Sequence, residues 1–264
     1  MNPNSIWKKS GKDGVLVATA IHDGHELRKD VSEKMLLGDE DRLREEDPFT
    51  GGLTTIGDVQ IIASRSRFEV DLNRPREKAV YIRPEDAWGL KIYDPEPSTD
   101  LVSRSLKEYD DFYEEIHQTY RNLEKLFGHF VIFDLHSYNH RREGPDGPNA
   151  DPALNPEVNI GTGTMDRAKW TPLIDRFICD LHNFDFNGRH LDVGENVKFK
   201  GGQLSKWTHQ TFPDSACSIS IEFKKFFMDE WTGRVDVQQI EQIRLALRST
   251  IPGVLKELKK MENK

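Results

Sequence analysis

Four short apolar runs constrain the fold of this chain more strongly than any other feature of its sequence. Each is five or six residues long, and they occupy residues 15–20, 59–63, 130–135 and 217–221. Runs of this length are typical of buried strands, whereas a helix needs roughly ten or more residues. Longer stretches between the runs have apolar residues at three- and four-residue steps, which is the spacing of one helix face. This alternation predicts an α/β layered domain.

Three helices are predicted from that spacing. The first covers residues 98–127 and is followed by Gly128, a residue type that commonly ends a helix. The second covers residues 166–184, and the third runs from Val235 toward the C-terminus. Pro252 is expected to kink or break the third helix, because its ring removes a helical hydrogen bond.

Two further segments, 141–156 and 185–202, contain turn-forming residues and are predicted to be ordered loops. Neither marks a change in composition between two regions that could each form a core. A chain of 264 residues can remove about three-quarters of its unfolded surface from water in one unit. We therefore expect a single domain over residues 1–264.

Charge and composition exclude several classes of protein. The 37 Lys and Arg residues against 45 Asp and Glu residues give a formal net charge of −8, which opposes non-specific binding of nucleic acid. No apolar run approaches the roughly 18 residues of a membrane span. Only Cys179 and Cys217 are present, and the N-terminal residues lack the apolar stretch of a signal peptide. We therefore expect a cytoplasmic protein with neither a membrane nor a nucleic-acid partner.

Three of the four apolar runs lead into a chemically capable polar residue at or just past their last position. These residues are His22, His136 and Glu222. In an open α/β sheet, ligands bind beyond the carboxyl ends of the strands, so the three side chains would converge if their strands were parallel neighbours. Two histidines and a carboxylate are a ligand set of hydrolytic zinc sites.

The local context of each histidine leaves a second interpretation open. His22 lies in the segment IHDGHE, where it is either a metal ligand or a loop histidine bonded to a carbonyl. His25 competes with it as a ligand, and Glu26 could complete a local pair. His136 follows Asp134 by two residues, so this carboxylate could orient a ligating imidazole from the same side of a strand. The alternative is a buried histidine with a satisfied polar partner.

Asp47 and a later arginine-rich segment are further candidates. Asp47 follows the charged stretch 39–46, which is typical of a solvated helix face, but Pro48 and two glycines after it indicate a defined loop. The segment 64–75 could bind carboxylates or oxyanions through its guanidinium groups. It could also be an edge strand with alternating charges.

Glu222 would be costly to leave unpaired after a buried strand. It is either an ion-pair partner of Lys224 or Lys225, or a general base that takes a proton from water. The glycine-containing segment 198–207 lacks the spacing of a phosphate-binding loop, so nucleotide binding is not expected.

Four motifs, in this order along the chain, resemble those of the N-formylglutamate amidohydrolase family. They are His-x-Gly at 22–24, SRFEVDLNRP at 66–75, DLHSYNHRR at 134–142 and IEFKKFFMDEW at 221–231. The family is similar in fold to the zinc carboxypeptidases and to the aspartoacylase group. The resemblance implies a three-layer α/β/α sandwich with a mixed central sheet, of the phosphorylase/hydrolase-like type.

The resemblance also implies a metal site with one zinc ion per chain. The implied ligands are two histidines and one acid, namely His22, His136 and Asp47. The acid stays open between Asp47, Glu46 and Glu26, because His25 stands where carboxypeptidase-type sites have a glutamate.

The remaining implied roles concern the substrate. Arg67 would polarise the scissile carbonyl, Asn73 and Arg74 would bind a substrate carboxylate, and Glu222 would be the catalytic carboxylate. The implied reaction is zinc-dependent hydrolysis of a small N-acyl amino acid resembling N-formylglutamate. The alternatives are a zinc carboxypeptidase or deacylase acting on a larger acyl or peptide substrate, and a non-catalytic binding protein on a hydrolase scaffold. The oligomeric state is not predicted.

Overall fold

A computed structural model describes residues 5–261, and within them seven strands form one mixed sheet. The strands are β1 (Trp7–Gly11), β2 (Leu16–Ala20), β3 (Val59–Ala63), β4 (Phe130–Tyr138), β5 (Val158–Gly161), β6 (Val193–Glu195) and β7 (Ala216–Lys224). Their order across the sheet is β1-β3-β2-β4-β7-β5-β6. The pairs β1–β3 and β5–β7 are antiparallel, and the other four pairs are parallel.

Helices cover both faces of this sheet. The α-helices are α1 (Lys29–Ser32), α2 (Asp39–Glu45), α3 (Thr50–Leu53), α4 (Thr99–Phe127), α5 (Arg167–Asn183), α6 (Gln203–Thr211) and α7 (Val237–Met261). Short 3₁₀ helices cover Thr54–Ile56, Arg76–Lys78, Pro84–Ala87 and Pro152–Leu154. On one face α5 and α7 pack in a cluster with Val131 and Phe133 of β4; on the other, α4 and α6 pack with Phe130 and Ile132. The predicted three-layer sandwich with a mixed sheet is confirmed.

The four apolar runs are the four central strands β2, β3, β4 and β7, as predicted. The outer strands β1, β5 and β6 were not predicted from the sequence. Strand β1 is mostly exposed and β6 has three partly buried residues. Strand β5 is buried, but it has four residues and Asn159 interrupts its apolar sequence, so it shows no apolar run. Strand β6 lies within the segment 185–202, so the expectation of a loop there is wrong at Val193–Glu195.

The helix predictions hold for α4 and α5 to within a residue at each end, and Gly128 ends α4 with a φ of 73°. Pro252 was expected to kink or break the third helix, and the break is wrong, because α7 runs continuously through it. Packing keeps the helix continuous, because Val254 and Leu258, which follow the proline, are buried in the core. At Gly253 a Cβ would lie only 2.1 Å from the Asp180 carboxylate of α5, so the two helices are in close contact there.

None of the helices within residues 5–261 is both long enough and apolar enough to cross a membrane.

Candidate active site

Three adjacent parallel strands bring the predicted polar residues to one edge of the sheet. Strands β2, β4 and β7 are parallel neighbours in that order. This is the arrangement under which the three side chains were expected to come together. His22 lies two residues beyond β2, whereas His136 and Glu222 lie within β4 and β7 and pair with each other in register. His136 and Glu222 are therefore inside longer strands than the apolar runs indicated.

His22, Asp47 and His136 form a buried group of three side chains that could hold a metal ion. One donor atom from each lies within 4.8 Å of the others. Asp47 Oδ2 is 2.9 Å from His136 Nδ1 and 3.4 Å from His22 Nδ1. The two imidazole centroids are 5.0 Å apart.

The other ring nitrogen of each histidine faces a second buried carboxylate. His22 Nε2 lies 2.7 Å from Asp71 Oδ1, and His136 Nε2 lies 3.2 Å from Asp134 Oδ1. With a metal ion bound, each Nε2 would carry a proton and donate it to its carboxylate, and both Nδ1 lone pairs would be free to ligate the ion. Carboxylates that fix the tautomer of a histidine in this way accompany metal-ligating histidines in many proteins. The donor set and its surroundings therefore fit a metal ion.

Asp47 is positioned by the irregular segment that follows α2. Its backbone N–H donates to the His22 carbonyl over 2.9 Å, which links the two candidate ligands directly. The buried Lys225 donates from Nζ to the carbonyl of Arg44 (2.6 Å), in the last turn of α2, and to that of Glu46 (2.7 Å), the residue before Asp47. Hydrogen bonds with the histidines outweigh burial and keep the pKa of the Asp47 carboxyl well below its usual range.

The other acids considered from the sequence have different partners. Glu46 is bonded to His25, whose Nδ1 lies 2.5 Å from its carboxylate, and also accepts from Ser66. The backbone of Glu26 forms an isolated bridge with Arg65. Asp47 is thus the acid that lies with the two histidines, and His25 lies outside that group.

Arg67 and Arg74 line the same cavity as the three-donor group, but their surroundings differ. Arg67 donates to Asp71 over 2.8 Å, and its guanidinium stacks 5.0 Å from the ring centroid of Trp88. Arg74 is about one-third exposed, and its Nε is 3.8 Å from Asp71. Arg74 therefore has the guanidinium that is more available to a ligand.

Asn73 connects the cavity to the helix α6. Its Nδ2 lies 3.4 Å from His136 Nε2, and its Oδ1 accepts from the Leu204 backbone N–H over 3.0 Å. A Cβ at Gly202 would lie 2.3 Å from Asn73 Nδ2, so the glycine permits this close approach. The predicted carboxylate-binding pair is thus placed at the cavity, beside a candidate metal ligand.

Glu222 also lines this cavity. Burial raises its pKa to about 7, although the nearby His136 acts to lower it. The lysines that were its alternative partners bind carbonyls instead: Lys224 donates to Asn155, and Lys225 to the turn before Asp47. Glu222 is therefore a carboxylate whose pKa lies in the neutral range and whose side chain faces a cavity.

Sequence reasoning missed Asp71, Tyr81 and Trp88. Asp71 binds His22 and Arg67 and also accepts from the Tyr81 hydroxyl. Its place two residues before Asn73, inside the SRFEVDLNRP motif, is a signal that could have identified it. Tyr81 and Trp88 lie in an irregular segment without a recognisable pattern, so only the three-dimensional structure brings them to the site.

The cavity has a volume of about 290 Å³, and polar groups converge in it. Its lining includes all seven residues to which the family resemblance gives a role, namely His22, Asp47, Arg67, Asn73, Arg74, His136 and Glu222. The arrangement combines three donors that could hold a metal ion, a carboxylate of near-neutral pKa and two arginines. Such a set suits hydrolysis of a carbonyl compound that carries a negative charge.

Comparison with known proteins agrees with this class. A family model described as N-formylglutamate amidohydrolase matches residues 15–228. The chain belongs to the N-formylglutamate amidohydrolase family, and membership supports an amidohydrolase. No curated protein matches the sequence at a significant level.

Solved structures share the fold. An N-formylglutamate amidohydrolase from Ralstonia eutropha JMP134 has a TM-score of 0.72 at 17% identity, covering 98% of this chain and 99% of that chain. A gene product of Agrobacterium tumefaciens has a TM-score of 0.70 at 16% identity, covering 97% of each chain. At these identities the likeness concerns the fold.

Proposed function

We propose that this protein is a zinc-dependent amidohydrolase that cleaves the amide bond of a small N-acyl amino acid. The observation that carries the proposal is the three-donor group of His22, Asp47 and His136 in one cavity with Glu222 and Arg74. Membership of the N-formylglutamate amidohydrolase family supports the reaction class.

His22, Asp47 and His136 would hold the zinc ion, with Asp71 and Asp134 keeping both imidazoles in the ligating tautomer. Zinc with three protein ligands supplies a Lewis acid that polarises a carbonyl and makes water acidic enough to react near neutral pH.

Glu222 is the proposed general base. Burial raises its pKa above that of an ordinary glutamate, which suits a group that accepts a proton from the attacking water and later returns that proton to the leaving amine. A carboxylate of ordinary pKa would hold the proton too weakly to serve both steps equally well.

The arginines and Asn73 orient the substrate. Arg67, which Asp71 and Trp88 hold in place, is the proposed donor to the carbonyl oxygen as negative charge develops on it. Arg74 and Asn73 are the proposed partners of a substrate carboxylate, since a guanidinium can bind both carboxylate oxygens at once. Fixing the carboxylate would set the distance between the amide and Glu222.

Two alternatives use the same residues. A carboxypeptidase or deacylase would bind a larger acyl or peptide group, and a binding protein would retain the cavity without turnover. The size of the preferred substrate distinguishes the proposed amidohydrolase from a carboxypeptidase or deacylase. Release of amine distinguishes it from a binding protein.

The test is metal analysis of the purified protein followed by a panel of N-acyl amino acids with released amine as the readout. We expect one zinc per chain and turnover of at least one N-acyl amino acid. His22→Ala and His136→Ala should each bind zinc far more weakly, whereas the exposed His190→Ala should not. Full zinc occupancy in both His22→Ala and His136→Ala would contradict the proposed zinc site.

A further inference from the structure

A second cavity adjoins the proposed active site. Its volume is about 240 Å³, and it shares four lining residues with the first cavity, namely Glu45, Trp88, Asn139 and Arg142. The remaining lining includes Leu90 and Trp231. A substrate bound in the first cavity could therefore extend into the second without crossing the protein core.

The charged groups of the second cavity already have partners. Arg142 donates to Glu45 over 2.9 Å, and Arg141 donates to Asp229 over 2.7 Å. Glu230 accepts from the backbone N–H groups of His140 and Arg141. Each of these charges thus has an opposite charge or backbone donors beside it, so none of them stands as an isolated charge that would select an ion.

What the wall does offer is aromatic surface. Trp88 lines both cavities and is 50% exposed. The Trp231 indole is fixed at its edge, because its Nε1 donates to the Arg141 carbonyl over 3.0 Å. Arg44 lies over its ring at 4.3 Å from the centroid. The partly exposed Leu90 adds an aliphatic surface.

We propose that the second cavity is a subsite for an aromatic ring of the substrate, on the part of the molecule remote from the scissile amide. The proposal rests on the amidohydrolase function proposed above and narrows its substrate class. A cavity of roughly 150 Å³ is enough to take up benzene, so about 240 Å³ accommodates a phenyl ring and its linker. Aromatic rings also stack favourably on indole surfaces.

Two pairs of substrates test the subsite and distinguish which side of the amide carries the ring. On the acyl side, N-phenylacetyl-glutamate is compared with N-acetyl-glutamate. On the amine side, N-formyl-phenylalanine is compared with N-formyl-alanine. In at least one pair we expect the ring to raise kcat/KM about tenfold or more, since burying a ring removes much apolar surface from water.

Variants of Trp231 test whether the preference for a ringed substrate arises in this cavity. Trp231→Ala should bring the ring preference, the ratio of kcat/KM within a pair, close to one. Trp231→Phe keeps an aromatic ring but loses the hydrogen bond to Arg141, so it should retain most of the preference. Leu126→Ala, an exposed change on α4, should leave the ratio as in the wild type. An equal ratio in wild type and Trp231→Ala would overturn the subsite.

Binding measured without turnover separates this proposal from the proposed function. Calorimetry on zinc-loaded Glu222→Gln protein gives the affinity for each ringed compound and its ring-free counterpart. Ring-selective binding that Trp231→Ala abolishes, with no hydrolysis by the wild type, would keep the subsite and reject the amidohydrolase function. Hydrolysis with no ring preference in either pair would keep the function and reject the subsite. No ring preference in binding or turnover would likewise reject it.

Discussion

His22 Nε2 lies 2.7 Å from Asp71 Oδ1, and both side chains are buried. The same carboxylate accepts from Arg67 over 2.8 Å and from the Tyr81 hydroxyl. One acid therefore holds a candidate metal ligand and a candidate substrate-binding arginine at once. The negative charge persists in this buried position because Arg67 and His22 outweigh burial and keep the pKa of Asp71 well below its usual range.

Asp71→Asn should weaken zinc binding by about 10- to 100-fold, because an amide fixes the imidazole of His22 less well than a carboxylate. Activity should fall further than metal loading alone explains, since Arg67 loses its partner too. Zinc affinity by competition with a chelator and kcat/KM at saturating zinc measure the two effects. The exposed Asp110→Asn, which only breaks a contact with Arg76, is the matched control. Unchanged zinc affinity in Asp71→Asn would contradict the coupling.

Glu222→Gln should lower kcat by about 10²–10⁴-fold, because the amide keeps the shape of the side chain but cannot accept a proton. In the wild type a general base must be unprotonated, so kcat/KM should fall on the acidic side. The zinc charge should move this limb below the value of about 7 that burial gives Glu222 without a metal ion, and the limb should report Glu222 coupled to the zinc-bound water. Glu241→Gln on the exposed surface of α7 serves as the control. A zinc-loaded Glu222→Gln protein with near wild-type turnover would exclude the role.

The same variant has a distinct effect on stability. The folded-state pKa of Glu222 is raised above its ordinary value of 4.5, so its ionised form is disfavoured by folding. This destabilising effect is absent well below pH 4.5, grows between pH 4.5 and about 7, and is complete above that. Glu222→Gln should therefore raise the Tm of the zinc-free protein at pH 8 more than at pH 4. A lower Tm at pH 8 would indicate a lost ion pair instead.

Arg74→Lys should raise KM or lower kcat/KM for carboxylated substrates, because a single ammonium cannot bind both carboxylate oxygens as a guanidinium does. The comparison that isolates this role is a free-acid substrate against its amidated counterpart. The wild type should prefer the free acid, and the variant should lose much of that preference. Arg76→Lys, two residues away in an exposed pair with Asp110, should leave the preference intact. Equal hydrolysis of acid and amide by the wild type would rule out the assignment.

Lys225→Met should destabilise the protein by about 1–3 kcal/mol, because the carbonyls of Arg44 and Glu46 lose their buried donor. The turn that carries Asp47 should loosen, so zinc affinity should fall as well. Urea unfolding and chelator competition measure the two changes. Lys256→Met, on the exposed side of α7, gives the baseline. Wild-type zinc affinity in a destabilised Lys225→Met protein would show that the lysine supports the fold alone.

The sequence by itself determined the central strands, the long helices and the chemical character of the strand ends. Short apolar runs and three- to four-residue periodicity are local properties of the sequence. They therefore predict β2, β4, β7 and α4 without knowledge of the fold. His136 and Asp134 also follow from local geometry, since two residues along a strand share a face.

Only the tertiary structure decided which acid joins the histidines and which groups hold them. Glu46 and Asp47 are adjacent in sequence, yet Glu46 binds His25 while Asp47 lies with His22 and His136. That difference arises from contacts between distant segments, such as those of Lys225 with the turn before Asp47. Continuity of α7 through Pro252 has the same origin. Packing and buried hydrogen bonds between remote parts of a chain outweigh local preference, and no local pattern encodes them.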